Sequence, residues 1–219
     1  MTGRSVSAVL PPVLRVWLGV VAGLAAVVVV ALGVVYSGHS GPGRVDAGIQ
    51  SALGGLRPPW RDVALALDFL GEPVGSAVVM VVAVTGCLLL RRPRAAVLTV
   101  AGVGLAVGTA TLLKHLVGRT IHGDGNLSYP SGHTAFLTAL ALVAALLVAG
   151  RLGLGRVGGT SLVLGAALVA GAAMGWAQVA LGAHYPTDVL GGWCTALAVT
   201  PAAAWLVDRV ADAGRQEPR

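Results

Sequence analysis

Lys114 lies near the end of a long apolar run, and Arg119 follows five residues later. An ionisable side chain inside such a run is a functional candidate. The alternative is a lysine whose stem lies in lipid while its ammonium reaches the headgroups. The run Tyr129-Pro130-Ser131-Gly132-His133-Thr134 stands directly before another apolar stretch. Ser131 suits an N-cap, and the helix mouth behind it offers free N–H groups and the positive end of the helix dipole, which favour an anion. The plainer reading is a simple helix start with His133 at the interface. His184 and Asp188 are four residues apart, so a helix through both would put them on one face. A carboxylate beside an imidazole fixes its tautomer and raises its basicity, although H-x-x-x-D alone is common. Together, the cations and N–H groups suit a phosphate. Two histidines suit covalent phosphoryl transfer, one attacking phosphorus and the other protonating the leaving oxygen. No acidic cluster or histidine pair has metal-ligand spacing, so neither a metal nor a cofactor is expected.

The elements that must position these residues are membrane helices. Of 219 residues, 56% are hydrophobic and 11% charged, and the mean hydropathy is +0.83. A soluble domain carries about 25% charged residues, so a water-soluble fold is excluded. The net charge of +6 sits mostly in arginines between apolar runs, without the basic-aromatic interleaving of a nucleic-acid binder; it reads as membrane topology. Cys87 and Cys194 each lie inside an apolar run and read as small core residues. A span needs about 20 apolar residues. About six are present, over residues 13–36, 74–90, 95–117, 131–149, 160–181 and 189–207. Residues 41–73 are more polar, with apolar positions spaced for short amphipathic helices along the interface. The expected fold is all-α: a single-domain polytopic helix bundle over 1–219, with this interfacial segment between its first two spans.

Arginine placement sets the orientation. Arg4, Arg15, Arg91, Arg92, Arg94, Arg151, Arg156, Arg209, Arg215 and Arg219 fall on one side; Arg44, Arg57, Arg61, Lys114 and Arg119 fall on the other, with most of the acids. The richer side is expected to be cytoplasmic, with both termini, and the candidate residues to face outward. Small-residue faces could pack within one chain or between chains, so the oligomeric state stays open.

The wording and order of these motifs resemble the PAP2 (type 2 phosphatidic acid phosphatase) superfamily, membrane phosphatases related in core to vanadium haloperoxidases. That family carries K-x6-R-P, P-S-G-H and S-R-x5-H-x3-D. Here P-S-G-H is intact at Pro130–His133, and G-A-H-Y-P-T-D runs from Gly182 to Asp188. The resemblance covers nearly the whole chain. It implies that Lys114, Ser131 and Gly132 hold phosphate, that His133 is the general acid, that His184 is the nucleophile and becomes phosphohistidine, and that Asp188 orients it. The implied reaction is metal-independent hydrolysis of a lipid phosphate at the outer face. Phosphatidic acid, phosphatidylglycerol phosphate and a polyprenyl diphosphate are the candidate substrates.

Two departures are specific. Counted from Lys114, the family's Arg-Pro falls on Ile121-His122; counted back from His184, its Ser-Arg falls on Ala177-Gln178. By analogy with an oxyanion donor, each lost contact to a transferring phosphoryl group costs roughly 2.7–4 kcal/mol. Arg119, helped by His122 and Gln178, is expected to rebuild part of this clamp. The altered clamp keeps two alternatives open: a phosphotransferase or prenyl-diphosphate-processing enzyme on the same scaffold, and a non-catalytic binder or carrier of lipid phosphates.

Overall fold

The computed structural model describes residues 8–53 and 55–214. Arg4, Arg215 and Arg219, used above for orientation, lie outside the described residues. A short 3-10 turn, Pro12–Leu14, leads into α1 (Arg15–Val35). Then follow α2 (Arg44–Leu53), α3 (Trp60–Gly71), α4 (Pro73–Leu89), α5 (Pro93–Val117), α6 (Gly132–Arg151), α7 (Arg156–Ala180) and α8 (Pro186–Ala213). Among the described residues there is no strand, only an isolated bridge between Thr120 and Leu127.

The helix starts follow local chemistry. Pro73, Pro93 and Pro186 open α4, α5 and α8, where a missing N–H is harmless and φ is already helical. Gly118 ends α5 in the left-handed conformation, φ +64°, which glycine adopts without a Cβ penalty. Among the described residues, five helices are each long and apolar enough to cross a membrane. The expected second span corresponds to α4, which at 17 residues is short for a crossing. It pairs with α3 across a 68° bend to make a sixth candidate. The segment expected at the interface supplies α2 and α3.

α6 packs against α5, α7 and α8, and α8 packs against α1. The core is small and aliphatic: Leu98 and Ala106 of α5, Ala139, Leu142 and Leu146 of α6, Val163 and Ala167 of α7, Leu197 and Ala204 of α8. Cys87 and Cys194 are free and buried. Val16, Val20, Leu24 and Val27 along α1, and Val78, Val81 and Val82 on α4, are exposed. Lipid is the solvent that suits such a belt.

One end of the bundle is fastened by charge. Asp208 accepts the N–H groups of Val9 and Leu10, each at 2.9 Å. Arg94 donates to Asp208 at 3.3 Å and to Asp212 at 2.5 Å. Arg94, read above as a loop charge, is therefore buried and paired. The loop from Gly118 to Ser131 and the turn before α8 lie at the other end, where Ser131 N–H donates to the Asp188 carbonyl at 2.9 Å.

Candidate active site

The second motif folds as its sequence implies. Ser131 caps α6, its hydroxyl accepting from Thr134 N–H at 3.4 Å and from the Thr134 hydroxyl at 3.1 Å. The Ser131 side chain is fully buried, so its hydroxyl serves the cap. A side chain added at Gly132 would meet nothing within 4 Å, which leaves open space at the helix mouth. α8 reaches this loop closely because Gly192 has no side chain: a Cβ there would lie 2.2 Å from the Ser131 carbonyl oxygen. Tyr129, fully buried, anchors the loop by donating its hydroxyl to Val29 O at 2.7 Å.

The third motif departs from the expected geometry. His184 lies in the turn before α8, not on a shared helix face with Asp188. Asp188 sits in the first turn of α8, where one carboxylate oxygen accepts Tyr185 N–H at 3.0 Å. Pro186 at N1 starts the helix too late to include His184. The two are brought together nonetheless: His184 Nδ1 is 3.7 Å from the same Asp188 oxygen. His184 is 7% exposed and its Nδ1 has no hydrogen-bond partner. Burial pushes its pKa below the usual histidine value; Asp188 opposes this, while the charges of Lys114 and His133 push the same way. All three groups therefore act electrostatically on the His184 ring.

Lys114 is half-buried and donates to the Leu127 carbonyl at 2.9 Å. His122, exposed with φ +59°, bonds through Nε2 to the Gly182 carbonyl at 2.8 Å. It thereby ties the loop after α5 to the turn carrying His184. Ile121, at one arginine position, is 2% exposed.

Arg119 differs most from expectation. It is fully buried. Nη1 donates to Asp188 at 2.7 Å and to the Thr187 hydroxyl at 2.6 Å, while Nη2 donates to Asp46 at 2.7 Å. Its guanidinium carbon lies over the rings of Tyr36 and Tyr185, at 3.9 and 4.3 Å from their centroids. These contacts make it the cation between two buried carboxylates. Burying a guanidinium is costly, and these charge-assisted bonds to two carboxylates and a hydroxyl offset that cost.

Gln178 is likewise occupied. It is 1% exposed and donates to Asp68 Oδ1 at 2.6 Å. Asp68 Oδ1 and Glu72 Oε1 are each 3.6 Å from His133 Nε2. One ligand atom from each of these three side chains lies within 4.8 Å of the others, a grouping whose donors suit a divalent ion. The sequence reading saw no such cluster because α3 and α6 are far apart in the chain. α3 comes this close because Gly71 lacks a side chain: a Cβ there would fall 2.1 Å from the His133 ring.

Asp46, Asp68, Glu72, Tyr185 and Thr187 were missed by the sequence reading. A signal existed for two of them. Asp46 falls on the face of α2 shared with Ile49 and Leu53, and Asp68 lies one turn after Ala64, the buried residue of α3. An acid on an apolar helix face calls for a buried partner.

Residues 95–212 match the family model described as the PAP2 superfamily. No curated protein matches the chain. Among solved structures, the chain is similar in fold to the crystal structure of the first transmembrane PAP2 type phosphatidylglycerolphosphate phosphatase from Bacillus subtilis. The TM-score is 0.65 at 22% identity, over 90% of this chain and 98% of that one. With more than half of the sequence inside the family model and P-S-G-H at the mouth of α6, this chain belongs to the PAP2 superfamily.

Proposed function

We propose that the protein is a membrane lipid phosphatase that hydrolyses a phosphate or diphosphate monoester through a phosphohistidine on His184. One observation carries this reading: a buried histidine whose Nδ1 faces Asp188 at 3.7 Å, while the Asp188 carbonyl accepts Ser131 N–H at the mouth of the helix that carries His133. With Nδ1 turned to the carboxylate, Nε2 is the attacking atom. A P–N bond forms while the lipid P–O bond breaks, and His133 gives its proton to the leaving oxygen. In the second half His133 removes a proton from water, water attacks phosphorus, and the P–N bond breaks to release phosphate. Lys114 and the N–H groups at Gly132 are the remaining supports for the phosphoryl charge.

The arginines at the opposite end of the bundle support an outward-facing site and cytoplasmic termini. Labelling Gly125→Cys in intact cells with a membrane-impermeant maleimide tests this, and an unlabelled cysteine would count against it. The similar structure is that of a phosphatidylglycerolphosphate phosphatase, which puts phosphatidylglycerol phosphate first among the probes, followed by phosphatidic acid and undecaprenyl diphosphate. Each would be offered to purified protein in EDTA, with His184→Ala as control. His184-dependent phosphate release supports the proposal.

A second reading is favoured by the occupied state of Gln178 and the burial of Ile121, which leave both family arginine positions without a cation. It is a phosphotransferase or prenyl-diphosphate-processing enzyme, or a binder of lipid phosphates. Lipid consumed without free phosphate would identify the first pair. Binding without turnover that survives His184→Ala would identify the last.

A further inference from the structure

We infer that Asp46 of the interfacial helix α2 is a positioning residue for the nucleophile, balancing the charge of Arg119 so that Asp188 keeps a net negative field on His184. This rests on the reading of His184 as nucleophile and goes beyond it, because neither α2 nor Asp46 belongs to any of the three family motifs.

Three side chains with no exposed surface form the unit: Asp46, Arg119 and Asp188. One guanidinium bridges two carboxylates, so the buried triad carries a net charge of −1. Asp46 is fully engaged. One oxygen accepts Arg119 Nη2 at 2.7 Å, the Thr187 hydroxyl at 3.0 Å and Gly43 N–H at 3.1 Å; the other accepts Thr187 N–H at 2.9 Å. Burial opposes its ionisation, but the bonds from Arg119, Thr187 and Gly43 outweigh burial and hold its pKa below the usual carboxylate range.

Arg119 alone, 2.7 Å from Asp188, would neutralise the one carboxylate beside His184. When Nε2 bonds to phosphorus, the imidazole becomes positively charged, and that charge needs an uncompensated anion nearby. Asp46 supplies the second negative charge. The other charged groups around His184 are unfavourable or remote from this task. Lys114 from α5 and His133 from α6 both oppose a positive ring. Asp68 of α3 and Glu72 after it face His133.

Asp46→Asn removes the charge and keeps an oxygen for Thr187 N–H. With phosphatidic acid in detergent micelles as probe, kcat is expected to fall about tenfold, less than the roughly 10²–10³-fold of a donor touching the reacting group because Asp46 acts through Arg119, with KM changed less than about twofold. The acidic limb of kcat/KM is expected to move to lower pH by about half a unit or more, because protonated His184 loses an anion. A fall in kcat with an unmoved limb would mean that Asp46 only supports the fold, and would overturn the inference. So would a kcat within twofold of the parent. If Asp46→Asn does not fold, Thr187→Val carries the test: it removes the hydroxyl contacts and leaves all three charges. Its acidic limb is expected to stay at the parent position, and a displaced limb would overturn the inference. His184→Ala separates the two levels. Full turnover in that variant defeats the nucleophile assignment itself, whereas a dead His184→Ala with a normal Asp46→Asn defeats only the role of Asp46.

Discussion

The Gln178 side-chain amide donates to Asp68 Oδ1 at 2.6 Å, across 110 residues of sequence. The residue standing at a family arginine position thus fixes α3 against α7 and holds a carboxylate 3.6 Å from His133. Gln178→Ala would leave a half-buried carboxylate without this donor. A loss of about 1–3 kcal/mol is expected, seen as a lower midpoint of thermal unfolding in detergent. An unchanged midpoint would show that the bond adds nothing to the seating of α3.

Arg119 is expected to behave as a core residue. Arg119→Ala leaves Asp46 and Asp188 buried and uncompensated, at a cost of about 3–5 kcal/mol. Arg119→Lys should be only a partial substitute, because an ammonium cannot span both carboxylates and the Thr187 hydroxyl with a planar fork. Unfolding of the two variants, compared with the parent, checks this. If Arg119→Ala keeps the parent midpoint and only raises KM, the guanidinium binds substrate after all.

His133 as general acid makes a leaving-group prediction. Its replacement by alanine should slow hydrolysis of a lipid phosphate by about 10²–10⁴-fold. With p-nitrophenyl phosphate, whose leaving group needs no proton, the loss should be much smaller. Equal losses on both substrates would assign His133 to binding.

Burial of His184 outweighs Asp188 and sets its pKa below the ordinary histidine value. The nucleophile must be neutral, so the acidic limb of kcat/KM should lie below about pH 6.5. The same depression makes the folded state disfavour the proton that the unfolded chain accepts. Stability should therefore fall as pH drops below about 6.5. A limb above that value would mean that the carboxylate dominates instead.

Most of the frame was legible from hydropathy. The third span was expected at 95–117, and α5 runs Pro93–Val117. The last was expected at 189–207, but α8 runs Pro186–Ala213. Its start is set by a proline at N1, and its end carries the polar residues Asp208 and Asp212, which both pair with Arg94. Hydropathy sees neither effect. The three motifs gave the location of His133, His184 and Asp188. They could not give Asp46, which meets Thr187 across 141 residues, or Asp68 beside His133. A charged residue on an amphipathic helix reads as solvated until the fold supplies a buried partner. The partners of Arg119 were hidden for the same reason: its sequence neighbours are loop residues, while the carboxylates it bonds lie on α2 and α8.

The most direct test of the account is a search for the covalent intermediate. Purified protein would be mixed with phosphatidylglycerol phosphate or phosphatidic acid labelled with ³²P in the scissile phosphate, in EDTA, and quenched in alkali within milliseconds to seconds. An alkali-stable, acid-labile label on the peptide containing His184, absent from His184→Ala, is the expected result. Undiminished phosphate release by His184→Ala, or a label on another residue, would contradict it.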